Sequence, residues 1–139
     1  MKEVTLRCDG GVRLGQMALG YVVLNIGDEK EILFQGFKKC GKGTSNVSEY
    51  RALIAGLIHC LKENIEIVRI IVDSQLLVKQ ITGAAKTSNI ELLKHKIKVT
   101  ELLLQFKEYS IKWEPRHKNK LADNLVNLAF TKKKKNVKK

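Results

Sequence analysis

Four carboxylates, Asp9, Glu49, Asp73 and Asp123, fall where the residue pattern of the chain changes from strand to turn or from loop to helix. Gathered at one place, they would repel one another unless cations neutralised them. Oxygen-only ligands select hard ions such as Mg²⁺ or Mn²⁺ over zinc, and two such ions about 3.5 to 4 Å apart promote in-line phosphodiester cleavage. Each acid also has a purely structural reading. Glu49 stands three residues after Asn46 and could complete a capping box. Asp123 could complement a helix dipole, and Asp9, just before Gly10 and Gly11, could shape a turn. Residue by residue these readings stay open. A shared site is favoured because all four acids fall on one expected edge.

Positioning them requires the following elements. Val4, Leu6 and Cys8 alternate with Thr5, Arg7 and Asp9, the period of a half-buried strand that should end at a Gly10-Gly11 turn. Gly20 to Ile26 and Glu31 to Phe37 read as two more strands around the turn Gly27 to Lys30, giving an antiparallel meander. Lys38 to Asn46 reads as a loop. Tyr50, Leu53, Ile54, Leu57, Ile58 and Leu61 then recur at helical spacing, with Asn46 as the expected N-cap. Ile67 to Val72 is a nearly continuous apolar run, as in an interior strand, closed by Asp73-Ser74. A short helix, Gln75 to Ile81, stops at Gly83, and a longer one should bury Ile90, Leu93, Ile97 and Leu104. A strand, Tyr109 to Trp113, precedes Pro115 and a terminal helix marked by Leu121, Leu125 and Leu128 or Ala129. The order β-β-β-α-β-α-α-β-α predicts an α/β fold, a mixed sheet with helices on both faces. If the first and fourth strands are parallel neighbours, Asp9 and Asp73 leave the same carboxyl edge, where open α/β sheets place their ligands. Glu49 and Asp123 could then converge on it from the helices.

Composition narrows the function classes. A chain of 139 residues with 44% hydrophobic residues and one proline fits one domain, with a core that needs no disulfide or structural metal. The apolar runs Ile70 to Val72 and Leu102 to Leu104 fall far short of the ~20 residues that span a bilayer, and Met1-Lys2-Glu3 opens no signal peptide. Cys8, Cys40 and Cys60 are odd in number and scattered, which suits reduced thiols in a cytoplasmic protein. Twenty-six basic against 14 acidic residues give a net charge of +12. Residues 1–130 are expected to form the domain, and 131–139 a disordered tail with six lysines and no acid. Without that tail the body is still basic, so a polyanionic partner, most often nucleic acid, is expected.

Four blocks sharpen this expectation: Arg7-Cys8-Asp9-Gly10-Gly11, Thr44 to Leu53, Val72-Asp73-Ser74-Gln75-Leu76-Leu77-Val78, and Pro115 to Leu125. In this order they resemble the catalytic blocks of the ribonuclease H type 1 family, over Val4 to about Ala129. The resemblance implies a five-stranded mixed sheet of order 3-2-1-4-5. It also implies a Mg²⁺-dependent endonuclease, with Mn²⁺ as a substitute ion. Such an enzyme cuts the RNA strand of an RNA/DNA hybrid by a two-metal mechanism, leaving 5'-phosphate and 3'-hydroxyl ends. Asp9, Glu49, Asp73 and Asp123 match the family's metal ligands, and His117 lies at or near its mobile histidine, associated with proton transfer or product departure. Thr44 and Asn46 match contacts to the DNA strand and Gln75 a minor-groove contact. The backbone near Gly11 and Glu49 is expected to meet ribose 2'-hydroxyls, the group that separates RNA from DNA. His59 and His95 read as structural.

The chain also departs from the family pattern. Ser45 replaces a common asparagine, the loop from Gly11 to Met17 lacks the usual proline and asparagine, and Gly83 to Asn89 leaves no room for the basic handle of larger members. A short, handle-less, monomeric form is therefore expected, with the tail lysines as candidates for added affinity. Double-stranded RNA is a further candidate partner, and no membrane partner is expected. The alternatives are a non-cleaving hybrid or double-stranded RNA binder that keeps the fold, and an exonuclease or resolvase of the same fold.

Overall fold

Period-2 alternation along the first part of the chain produces two long strands, β1 (Glu3–Arg13) and β2 (Gln16–Asn25), and a third, β3 (Asp28–Lys42), completes the meander. The structure, a computed structural model, describes residues 2–131. Helix α1 (Ser45–Lys62) leads into β4 (Ile67–Val72), followed by α2 (Gln75–Thr82), α3 (Ile90–Leu103), β5 (Glu108–Trp113) and α4 (Lys120–Thr131). The sheet order is β3-β2-β1-β4-β5, with β1 antiparallel to β2 and parallel to β4, and β4 parallel to β5. On one sheet face Leu6, Cys8, Leu19 and Val23 share a core with Leu53, Leu57 and Cys60 of α1 and Val99 and Leu102 of α3. On the other, Ala18, Val22 and Leu24 meet Leu125, Val126 and Ala129 of α4. The mixed sheet with helices on both faces is therefore as expected. No helix among the described residues is long and apolar enough to cross a membrane.

Several boundaries differ from the expectation. β1 does not end at Gly10-Gly11: both glycines pair with β2, and the turn is Leu14-Gly15, with φ of 52° and 77°. Two left-handed residues suit the twist of a two-residue hairpin, but a leucine there gives no turn signal. β3 absorbs Lys38 to Lys42, since a charged, largely exposed edge strand has the composition of a loop. The N-cap of α1 is Thr44, whose hydroxyl accepts from Val47 N at 3.3 Å, not Asn46. Glu49 thus lies in the second turn and completes no capping box. On α3 the expected face is turned outward: Ile90 and Leu104 are 72% and 76% exposed, and Leu92, Val99, Leu102 and Leu103 are buried instead. This helix carries apolar residues around most of its circumference, so periodicity alone does not select the inner stripe. α4 reaches Thr131, one residue into the expected tail, and the rest of the tail lies outside the described residues.

Two glycines let helices close on the sheet. A Cβ at Gly10 would stand 2.5 Å from the Ser48 carbonyl oxygen and 2.6 Å from Glu49 N of α1. One at Gly20, which pairs with Asp9, would stand 2.9 Å from the Ala122 oxygen of α4. Gly10→Ala must push α1 off β1 and should cost about 2 kcal/mol or more, lowering the melting temperature by ~5 °C. Gly27→Ala, whose Cβ meets only Asn25 Oδ1 at 3.6 Å, should shift it much less. Thermal unfolding of both variants checks this.

Candidate active site

Parallel pairing of Cys8 with Val72 brings the next residues, Asp9 and Asp73, to one level on neighbouring strands. Asp9 is only 4% exposed, and its Oδ1 accepts the Gly10 N–H at 2.9 Å. Glu49 arrives from α1 through the close approach at Gly10, and its carboxylate accepts a hydrogen bond from Ser74, the N-cap of α2. Asp123, in the first turn of α4, is hydrogen-bonded to Asp9. Asp9, Glu49, Asp73 and Ser74 line one small cavity, while Asp9, Gly11, Arg116 and Asp123 line an open cleft of about 280 Å³ beside it. The four acids expected to form one site thus come together at the carboxyl edge of β1 and β4. Among the described residues, no three potential ligands already stand around a single ion position.

The other expected residues sit around this edge. Thr44 and Asn46 are exposed at the start of α1, Gln75 is exposed at the start of α2, and Gly11 lines the cleft. His117 is exposed on a single 3-10 turn, Arg116–Lys118. His59 is structural, its Nδ1 2.6 Å from Tyr21 Oη and its ring packed on Phe34 with centroids 4.3 Å apart and planes tilted by 34°. His95 Nδ1 lies 2.8 Å from the Glu91 carbonyl oxygen, also a structural role.

Two residues were not singled out from the sequence. Asn119 is fully buried; its Nδ2 donates to Cys8 O at 2.9 Å and Asp73 Oδ2 at 3.2 Å, tying β1, β4 and the start of α4 together. Its backbone carbonyl oxygen also accepts the Asp123 N–H at 3.1 Å. The spacing Asn119 to Asp123, four residues at a helix start, was the available signal. Arg116 is the cation that opposes the charge of both Asp9 and Glu49. The turn bearing it is held by Arg7, which donates to Lys118 O at 3.1 Å and pairs with Glu114 at 3.0 Å.

Burial, the neighbouring Asp73 charge and the contact with Asp123 push the Asp9 carboxyl up to about 8, against the pull of Arg116. Burial raises Glu49 to about 7 although Ser74 hydrogen-bonds it. This donor set fits hard divalent cations: it is all oxygen, its ionised form lacks sufficient positive charge, and Asn119 Oδ1 is buried without a partner among the described residues. A carboxyl raised in the folded state holds its proton where the unfolded chain has released it. Metal-free stability should therefore fall as pH rises from about 4 to about 8. Asp9→Asn should melt ~5 °C above the parent at pH 8 in a chelator, and the gap should shrink toward pH 4.

Residues 7–129 match the family described as reverse transcriptase-like. The sequence is 36% identical over 116 residues to a ribonuclease HI of Halobacterium salinarum, covering 84% of this chain and 57% of that protein. It is 35% identical over 129 residues to a bifunctional protein of Mycobacterium tuberculosis, covering 92% of this chain and 35% of the relative. The chain thus spans about a third to just over half the length of these curated relatives. The crystal structure of the RNase H1 from H. salinarum superposes with a TM-score of 0.88 at 35% identity, covering 92% of this chain and 97% of that one. LC11-RNase H1, solved in complex with an RNA/DNA hybrid, superposes with a TM-score of 0.82 at 30% identity, covering 91% and 95%. With the sheet order of the fold and a match over most of the domain in agreement, the chain belongs to the ribonuclease H type 1 family.

Proposed function

We propose that this protein hydrolyses the RNA strand of RNA/DNA hybrids with the aid of two divalent cations, Mg²⁺ foremost, leaving 5'-phosphate and 3'-hydroxyl ends. The observation that carries the reading is the convergence of Asp9, Glu49, Asp73 and Asp123 on one sheet edge. The hybrid bound to LC11-RNase H1 supports the substrate class. Asp9 and Asp73 would hold the cations jointly, with Glu49 and Asp123 on either side. When bound, the ions would lower the pKa of the attacking water and neutralise charge at the leaving 3' oxygen.

Around them this chain orients the ligands. Asn119 fixes the Asp73 carboxylate, Ser74 fixes Glu49, and the Gly10 N–H fixes Asp9. Arg116 adds positive charge beside the phosphate path, and His117, exposed on the same turn, assists proton transfer or product departure. Thr44 and Asn46 face the DNA strand and Gln75 the minor groove, while the backbone at Gly11 and Glu49 reads 2'-hydroxyls. The Thr44 hydroxyl oxygen accepts from Val47 N with one lone pair, leaving its proton to donate to a phosphate.

The test is cleavage of a labelled RNA strand paired with DNA, with and without Mg²⁺, beside RNA/RNA, DNA/DNA and single-stranded RNA. Internal, metal-dependent cutting of the hybrid is expected, and Asp73→Asn should slow it by about 10³-fold or more. A hybrid that stays whole in both Mg²⁺ and Mn²⁺ while still binding would assign the chain to the non-cleaving binders.

A further inference from the structure

α1 and α3 enclose a groove of about 350 Å³ lined by Arg51, Ile54, Lys94, His95 and Lys98. No acid lines it, and none of its three permanent cations belongs to an ion pair among the described residues. The buried or half-buried arginines elsewhere behave differently: Arg7 pairs with Glu29 and Glu114, and Arg69 with Glu3 and Glu108. Lys38 of β3 acts with Arg51 on the Cys40 thiol, so the positive band continues onto the sheet edge. Unpaired like charges held together by two packed helices oppose folding, and a polyanion relieves that repulsion. Ile54 supplies an apolar floor along which lysine stems can lie while their ammonium groups stay in water.

We infer that this groove is an auxiliary phosphate-binding site for the backbone of a nucleic-acid duplex already engaged at the carboxylate edge. The inference rests on the hybrid reading above. Its geometry follows from α1. Arg51 lies seven residues after Thr44, about two helical turns or ~10 Å along the same side. At 3.4 Å of duplex axis per nucleotide, that is about three nucleotides. A strand that touched Thr44 and ran along α1 would reach Arg51 within that distance, and α3, packed beside α1, presents Lys94 and Lys98 to the same groove. The loop from Gly83 to Asn89 adds no basic handle between α2 and α3, so α3 itself supplies the positive charge there.

Lys94→Gln/Lys98→Gln in the full chain tests this. Both lysines are exposed and glutamine is a comparable helix former, so the fold is kept. Fluorescence anisotropy in a chelator, with a labelled hybrid long enough to cross both sites, should show about tenfold weaker binding at moderate salt. The slope of log affinity against log salt should flatten by about 2. In Mg²⁺ the loss should fall on KM rather than kcat. Lys107→Gln, a lysine away from the groove, should change neither binding nor slope. Unchanged affinity and slope in the double variant, or an equal loss with Lys107→Gln, would overturn the groove assignment. If the parent binds but does not cut, the nuclease reading fails and the chelator experiment still decides the groove.

Discussion

A carboxylate buried in the middle of a strand, Asp9, is the constraint around which the molecule is arranged. Its burial and its acidic neighbours oppose ionisation, so the ionised site requires positive charge from elsewhere. Arg116 supplies part of it, and much of what else packs around Asp9 brings further acids toward it or holds them in place. Gly10 and Gly20 are small where α1 and α4 must approach. The parallel register sets Asp73 beside Asp9, and Asn119 spans β1, β4 and α4 at that level. Stability is reduced there by a cluster of carboxyl oxygens, and strongly perturbed acids of this kind gather at functional sites.

Much of this was legible in the sequence. The run Ile67 to Val72 has the bounds of β4, because an interior parallel strand is apolar throughout and is closed sharply by Asp73-Ser74. The four acids stood out because they fall at changes of pattern, and the mixed sheet followed from meander plus crossovers, while its strand order came from the family resemblance. What stayed hidden depended on partners distant in sequence. Nothing local distinguishes glycines that end a strand from glycines inside one that admit a helix, so β1 looked shorter than it is. The inner face of α3 is chosen by α1 rather than by its own periodicity. Arg116 and Asn119 sit in a polar, basic stretch that reads as solvated loop, yet one faces the acids and the other is wholly buried.

Charge of the two signs is gathered at two separate places. At the carboxyl edge negative charge is concentrated against burial, and in the groove between α1 and α3 Arg51, Lys94 and Lys98 stand outside any ion pair among the described residues. The proposed reaction would use both: the acids for cations, and a basic surface for a polyanion that the bare acids would repel.

The most direct measurement is a Mg²⁺ titration of the isotope-labelled protein followed by amide chemical shifts, with Asp9→Asn in parallel. Saturable shifts centred on Asp9, Glu49, Asp73 and Asp123, and lost or strongly weakened in the variant, are the predicted result. Shifts that are absent, or scattered over surface acids and equal in the two proteins, would contradict a cation site at this edge.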